Sequence, residues 1–141
     1  MMEKESVMED QKISLCDISS PALAYLGDSV LEVLVRQALV ESGISSSKKL
    51  NERALAFVSA PAQAAAVKNI LDLLTEEETG YFKRGRNIGH TNTPKRSSVG
   101  EYRMATGFET LFGYLKMTGN EARAKELFGI AYAAQLEELK K

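Results

Sequence analysis

The chain has 141 residues and a mass of 15.5 kDa, the size of one domain, and its 44 % apolar share is enough to bury a core without staples. One cysteine, Cys16, excludes an internal disulfide and reads as an inert thiol in a reducing compartment. The charged first twelve residues and the lack of a long apolar run exclude a signal peptide and a membrane span, so a cytoplasmic chain is expected; the net charge of −1 does not advertise a polyanion binder.

Residues 1–18 are expected to form a mobile tail and residues 19–141 a single all-α domain, since no convincing period-2 strand occurs. A first long helix starts with Ser20 as N-cap and Pro21 as its first residue, keeps a helical period through Leu23, Leu26, Val30, Val33, Leu34 and Ala38, and stops at Gly43. A second begins near Ser47. Ser59-Ala60-Pro61 breaks it and opens a third, Ala-rich helix ending near Leu73, whose small side chains suit a closely approached neighbour. Thr75 and Glu78 form a capping-box signature for a fourth helix running to about Arg86. Residues 87–97, with Gly89, Asn92, Thr93 and Pro94, read as a loop. A fifth helix spans about Ser98 to Met117, and Asn120 caps a sixth that runs to the end of the chain. Short connections predict a bundle of neighbouring, largely antiparallel helices.

The charge is unevenly placed. Between Lys83 and Arg103 stand six basic residues (Lys83, Arg84, Arg86, Lys95, Arg96 and Arg103) against one acid, Glu101. Such a stretch suits phosphate contacts or, more plainly, a solvated loop. His90, the single histidine, reads as a loop residue, and zinc would want a His/Cys cluster that the chain lacks.

Two acids contradict their surroundings. Asp28 lies in Leu26-Gly27-Asp28-Ser29-Val30-Leu31 and Glu109 in Phe108-Glu109-Thr110-Leu111-Phe112-Gly113, each in the most apolar part of its helix. Burying an unpaired carboxylate costs several kcal/mol, of the order of 3–5 when a partner is removed. A hard divalent cation such as Mg2+ would relieve that cost, because it takes oxygen ligands and keeps several waters. The residues alone leave another reading open: Asp28, Glu32 and Arg36 are spaced as a solvated ion-paired face, and Glu109 could pair with Arg36 or Arg103.

Tyr25-Leu26-Gly27-Asp28-Ser29-Val30-Leu31-Glu32 resembles the signature of the ribonuclease III family, and Ala105 to Leu115 resembles the family's second acidic motif. Val58 to Ala64 and Lys83 to Asn87 are similar to segments of its Mini-III branch. The resemblance runs from about Ser20 to Glu138. It implies an all-helical domain, homodimeric, with a valley for double-stranded RNA, in which Asp28 and Glu109 are the catalytic acids and the ligands of Mg2+. Products would carry a 5′-phosphate and a 3′-hydroxyl with short 3′ overhangs. The branch lacks a separate double-stranded-RNA-binding domain, and none is expected before Lys141. Its characteristic task is maturing the ends of large-subunit (23S) ribosomal RNA, with a large-subunit ribosomal protein as a further candidate partner. The basic stretch Lys83, Arg84, Arg86, Lys95, Arg96 and Arg103 becomes the candidate RNA contact, read by shape rather than base sequence.

The departures carry information too. Full-length members have a Glu where this chain has Ala24 and an Asp where it has Thr106, so two of four usual acids are missing. Fewer protein oxygens and more water on the cation, hence weaker binding, are expected, with Glu32 a partial substitute or an ion-pair partner of Arg36. The same losses motivate a second reading, a fold that has lost catalysis and holds RNA or a ribosomal surface, and a third, a helical scaffold unrelated to RNA.

Overall fold

A computed structural model describes residues 13–88 and 98–141, and among these it contains helices and no strand. The helices are α1 (Ser20–Glu41), α2 (Ser47–Val58), α3 (Ala60–Lys68), α4 (Glu76–Arg86), α5 (Val99–Met117), α6 (Glu121–Ala131) and α7 (Ala133–Leu139), with 3-10 turns at Leu15–Asp17 and Leu71–Leu73. The all-helical class read from the sequence is the observed one. None of these helices is long and apolar enough to cross a membrane.

α5 is the axis of the bundle. Residues 105–108 and 110–115 of it are all buried, and α1, α3 and α4 pack around it. α1 meets it with a stripe of strict four-residue spacing, Leu23, Gly27, Leu31, Val35 and Leu39, the ridge geometry of close helix packing. A second layer of aromatic side chains, Phe57, Phe128 and the fully buried Tyr132, closes over Phe108 and Phe112.

Four sequence expectations need correction. The cap of α1 is Ser19, whose hydroxyl accepts from the Ala22 amide at 3.1 Å; with two serines available the helix takes the outer one and gains the bond from Leu23 N–H to the Ser19 carbonyl. α3 ends at Lys68 rather than near Leu73, because the chain tightens into 3-10 bonds while the Asn69 amide donates to the Ala131 carbonyl and Ile70 is driven into the core. Asn120 precedes α6 without a side-chain cap; its amide donates instead to Thr118 Oγ1 at 2.9 Å. The last helix breaks at Tyr132, whose hydroxyl donates to the Phe57 carbonyl at 2.6 Å, a buried bond between segments 75 residues apart. The capping box of Thr75 and Glu78 forms as predicted, and a second, Ser98 with Glu101, starts α5. Gly43 ends the α1 region at φ +94°, a backbone that glycine adopts without strain.

Segment 13–18 is partly docked. Leu15 packs on the core, and Arg84 Nη2 donates to the Ile18 carbonyl at 3.0 Å.

Candidate active site

The site exists because α1 and α5 touch backbone to backbone. A Cβ on Gly27 would lie 1.6 Å from the Glu109 carbonyl oxygen, and one on Gly113 would lie 1.9 Å from the Leu23 carbonyl oxygen. With no side chain between them, the residue after Gly27 is placed beside Glu109. Asp28 and Glu109 are thus brought within hydrogen-bonding reach from separate helices. α4 closes on the adjoining face of α5 through a glycine of its own: a Cβ on Gly85 would meet the Thr110 side chain at 2.1 Å.

The two acids open onto a pocket of about 320 Å³ that also contains Ala24, Thr106, Tyr102 and Ile88. The positions where larger relatives were expected to carry further acids therefore line the same space. The Thr106 hydroxyl donates to the Tyr102 carbonyl at 2.9 Å, back into its own helix. Ala24 adds only a methyl group. Tyr25 and Tyr102 flank the acids, and Ile88 brings the end of α4 to the rim. The pocket roles of Tyr102 and Ile88 carried no signal in the sequence, since Tyr102 reads as one of the apolar-face residues of its helix and Ile88 as part of a loop.

Glu109 is pushed up to about 8, first by burial, then by its hydrogen bond to Asp28, then by that residue's charge. At neutral pH it holds a proton, and that proton makes the pair tolerable. No Lys or Arg among the described residues forms an ion pair with Glu109, so the expected alternatives Arg36 and Arg103 are not its partners. Arg36 instead pairs with Glu32 at 3.2 Å on the outer face of α1. Among the described residues no group of three or more His, Cys, Asp and Glu converges on a metal position. Two oxygen-donor side chains suit a hard cation that keeps most of its waters, and do not suit zinc.

Of the basic candidates, Lys83 is exposed at the end of α4. Arg84 lies over the Tyr81 ring at 4.9 Å and holds Ile18. Arg86 lies 5.8 Å from the Phe82 ring centre and donates to Asn87 Oδ1. Arg103 is exposed on α5, two turns before Glu109. Lys95, Arg96, His90 and most of the expected loop lie outside the described residues.

An all-helical domain with paired acids from crossing helices agrees with the class that residues 21–120 match, the Ribonuclease III domain family. Relatives named Mini-ribonuclease 3 are similar over most of the chain. The one from Enterococcus faecalis is 44 % identical, covering 75 % of this chain and 82 % of its own. The one from Clostridium tetani is 38 % identical over 84 % and 80 %, and the one from Brevibacillus brevis is 36 % identical over 94 % and 96 %. A crystal structure of a Fusobacterium nucleatum protein superposes with a TM-score of 0.76 at 30 % identity, covering 84 % of this chain and 95 % of that one. The chain belongs to the ribonuclease III family, in its Mini-ribonuclease 3 branch, and is an endoribonuclease.

Proposed function

We propose that this endoribonuclease cuts double-stranded RNA with magnesium, that Asp28 and Glu109 are its catalytic acids and metal ligands, and that its natural substrate is the precursor of large-subunit (23S) ribosomal RNA in the cytoplasm. The observation that carries the reading is the juxtaposition of Asp28 and Glu109 in one pocket, with a proton on Glu109 standing where a cation would relieve the same repulsion. Magnesium, when bound, supplies positive charge to the phosphate under attack and makes water a better nucleophile. The side chains do the rest. Asp28 and Glu109 hold and orient from two rigid helices. Ala24 and Thr106 leave room for solvent where further acids would stand. Lys83, Arg86 and Arg103, with Lys95 and Arg96, contact phosphates of the duplex, which is read by shape.

The functional unit is a homodimer. Tyr25, Val33 and Val40 are 83 %, 63 % and 63 % exposed on α1, a spacing that keeps the three on its outward side. Beside them an apolar groove of about 300 Å³ runs between α1 and the start of α6. Two such faces pairing would set two carboxyl pairs along one duplex, one per strand. A large-subunit ribosomal protein is proposed as a further partner, presenting the ribosomal RNA.

The test is incubation of an end-labelled RNA duplex, and of a precursor 23S terminal stem, with the protein in magnesium or in chelator. Metal-dependent cutting of both strands to 5′-phosphate ends with short 3′ overhangs is expected, together with a dimer mass by light scattering. Binding without cutting would instead support the non-catalytic reading.

A further inference from the structure

Lys83 and Arg84 are adjacent cations at the end of α4, and they are not equivalent. Lys83 extends into solvent without an ion pair among the described residues. The Arg84 guanidinium is already engaged on two sides. It lies over the Tyr81 ring, with its carbon 4.9 Å from the centroid, and its Nη2 donates to the Ile18 carbonyl at 3.0 Å. Tyr81 in turn stacks on Tyr114 of α5, with centroids 4.3 Å apart and planes inclined by 19°, and the Tyr114 hydroxyl donates to Glu77. Arg84, Tyr81 and Tyr114 thus form a three-layer stack that ties α4 to α5 and reaches the segment just before α1.

That segment leads directly into the catalytic pocket. Ile18 precedes the Ser19 cap, and Pro21 and Ala24, in the first turns of α1, line the pocket two turns and one turn before Asp28. Two residues past the end of α4, Ile88, whose N–H donates to the Gly85 carbonyl at 3.2 Å, lines the pocket from the other side. Ile18 has an extended backbone (φ −79°, ψ 127°) and lies outside any helix; Leu15 anchors its segment on the core, and the Arg84 guanidinium ties its carbonyl to α4.

We infer that Arg84 is a positioning residue, not a phosphate contact: it clamps the segment before α1 onto α4 and so sets where the first turn of α1 closes the pocket around Asp28 and Glu109. A planar guanidinium stacks flat on the ring while donating from its edge; a lysine ammonium is a shorter-reaching point charge without that flat stacking face, so Arg84→Lys is not a conservative change here. A displacement of about 1 Å at a catalytic wall costs up to roughly a hundredfold in rate, so a clamp remote from the acids still reads out in kcat.

The inference rests on the proposed duplex-cutting activity for its kinetic part and on the fold alone for its structural part. The experiment compares Arg84→Ala, Arg84→Lys and Lys83→Ala in the full chain by amide hydrogen exchange without RNA, and by single-turnover cutting of an RNA duplex across a salt series. Both Arg84 variants are expected to speed exchange at Ile18, Ala22 and Leu23 by about tenfold or more, the effect of losing a local tether. Both are expected to lower the rate at saturating RNA about tenfold, with the salt slope of binding unchanged. Lys83→Ala is expected to leave exchange untouched and to make the slope shallower by about one. Wild-type behaviour of Arg84→Lys beside a shallower slope in Arg84→Ala would overturn the inference, because a phosphate contact needs only charge. Unchanged exchange in both Arg84 variants would overturn it too. If the unaltered protein cuts no duplex, the function reading fails and the exchange data alone decide whether Arg84 holds the segment.

Discussion

The backbone of Gly27 rests on the carbonyl of Glu109, so closely that a single methyl group at residue 27 would sit 1.6 Å from that oxygen. The contact sets the interval between the two acids as well as the packing of the fold. Gly27→Ala must push α1 off α5, and a loss of about 3 kcal/mol or more is expected in urea unfolding, with activity gone in whatever still folds. Gly80→Ala is the control. Nothing lies within 4 Å of a Cβ there, and the residue is exposed inside α4. It should gain about 0.5–1 kcal/mol from helix propensity alone.

Stability in chelator should fall as pH rises. Glu109 titrates at about 8 in the folded chain against 4.5 for the ordinary group, so between those values the folded state holds a proton that the unfolded state has released. Unfolding is then progressively favoured across that window, and the stabilisation present below it is lost above pH 8. A Tm series from pH 5 to 8.5 should slope downward, and Glu109→Gln should flatten it. Added magnesium should raise Tm more at pH 8 than at pH 5.5, because a cation and the proton compete for one carboxyl.

The bundle and its acids were legible in the sequence for a physical reason. Asp28 and Glu109 break otherwise apolar runs, and a glycine beside or near each hints at a close approach. Helix starts with a cap and a partner three residues on, such as Thr75 and Glu78, were equally plain. Interactions that depend on distant segments were not. The stop at Tyr132 is set by the Phe57 carbonyl, the end of α3 by Ala131, and the engagement of Arg84 by Ile18, 66 residues earlier. A local pattern carries none of these. The six basic residues read as one patch in the sequence, whereas the described ones differ in how much of each guanidinium or ammonium is free.

A charged pair away from the pocket should prove structural. Glu78 is 5 % exposed, and its carboxyl accepts from Arg123 Nε and Nη2, both at 2.9 Å, and from the Thr75 amide. Arg123 also donates to the Leu73 carbonyl, which ties α6 to the start of α4. Its hydrogen bonds hold Glu78 below the ordinary carboxyl range. Arg123→Ala strands a buried acid and should cost about 2–3 kcal/mol in denaturant unfolding, with the rate of cutting by the remaining folded protein unchanged. The pair's contribution is present above the ordinary Glu value and lost as pH falls through the folded one.

Thr106→Asp should tighten magnesium. Residue 106 lines the pocket one turn before Glu109, and an Asp there adds a third carboxyl to the donor set. The magnesium concentration for half-maximal cutting should fall severalfold. An unchanged midpoint would show that position 106 does not reach the cation.

The central claim is that Asp28 and Glu109 act as one unit on a cation beside a phosphodiester. Single-turnover cutting of a labelled RNA duplex in saturating magnesium by Asp28→Asn and by Glu109→Gln, each shown to fold and to bind the duplex in chelator, tests it most directly. Both variants should lose at least about a thousandfold in rate, of the order that removing a catalytic charge costs, while binding stays within about twofold. Cutting near the unaltered rate by either variant would contradict the account.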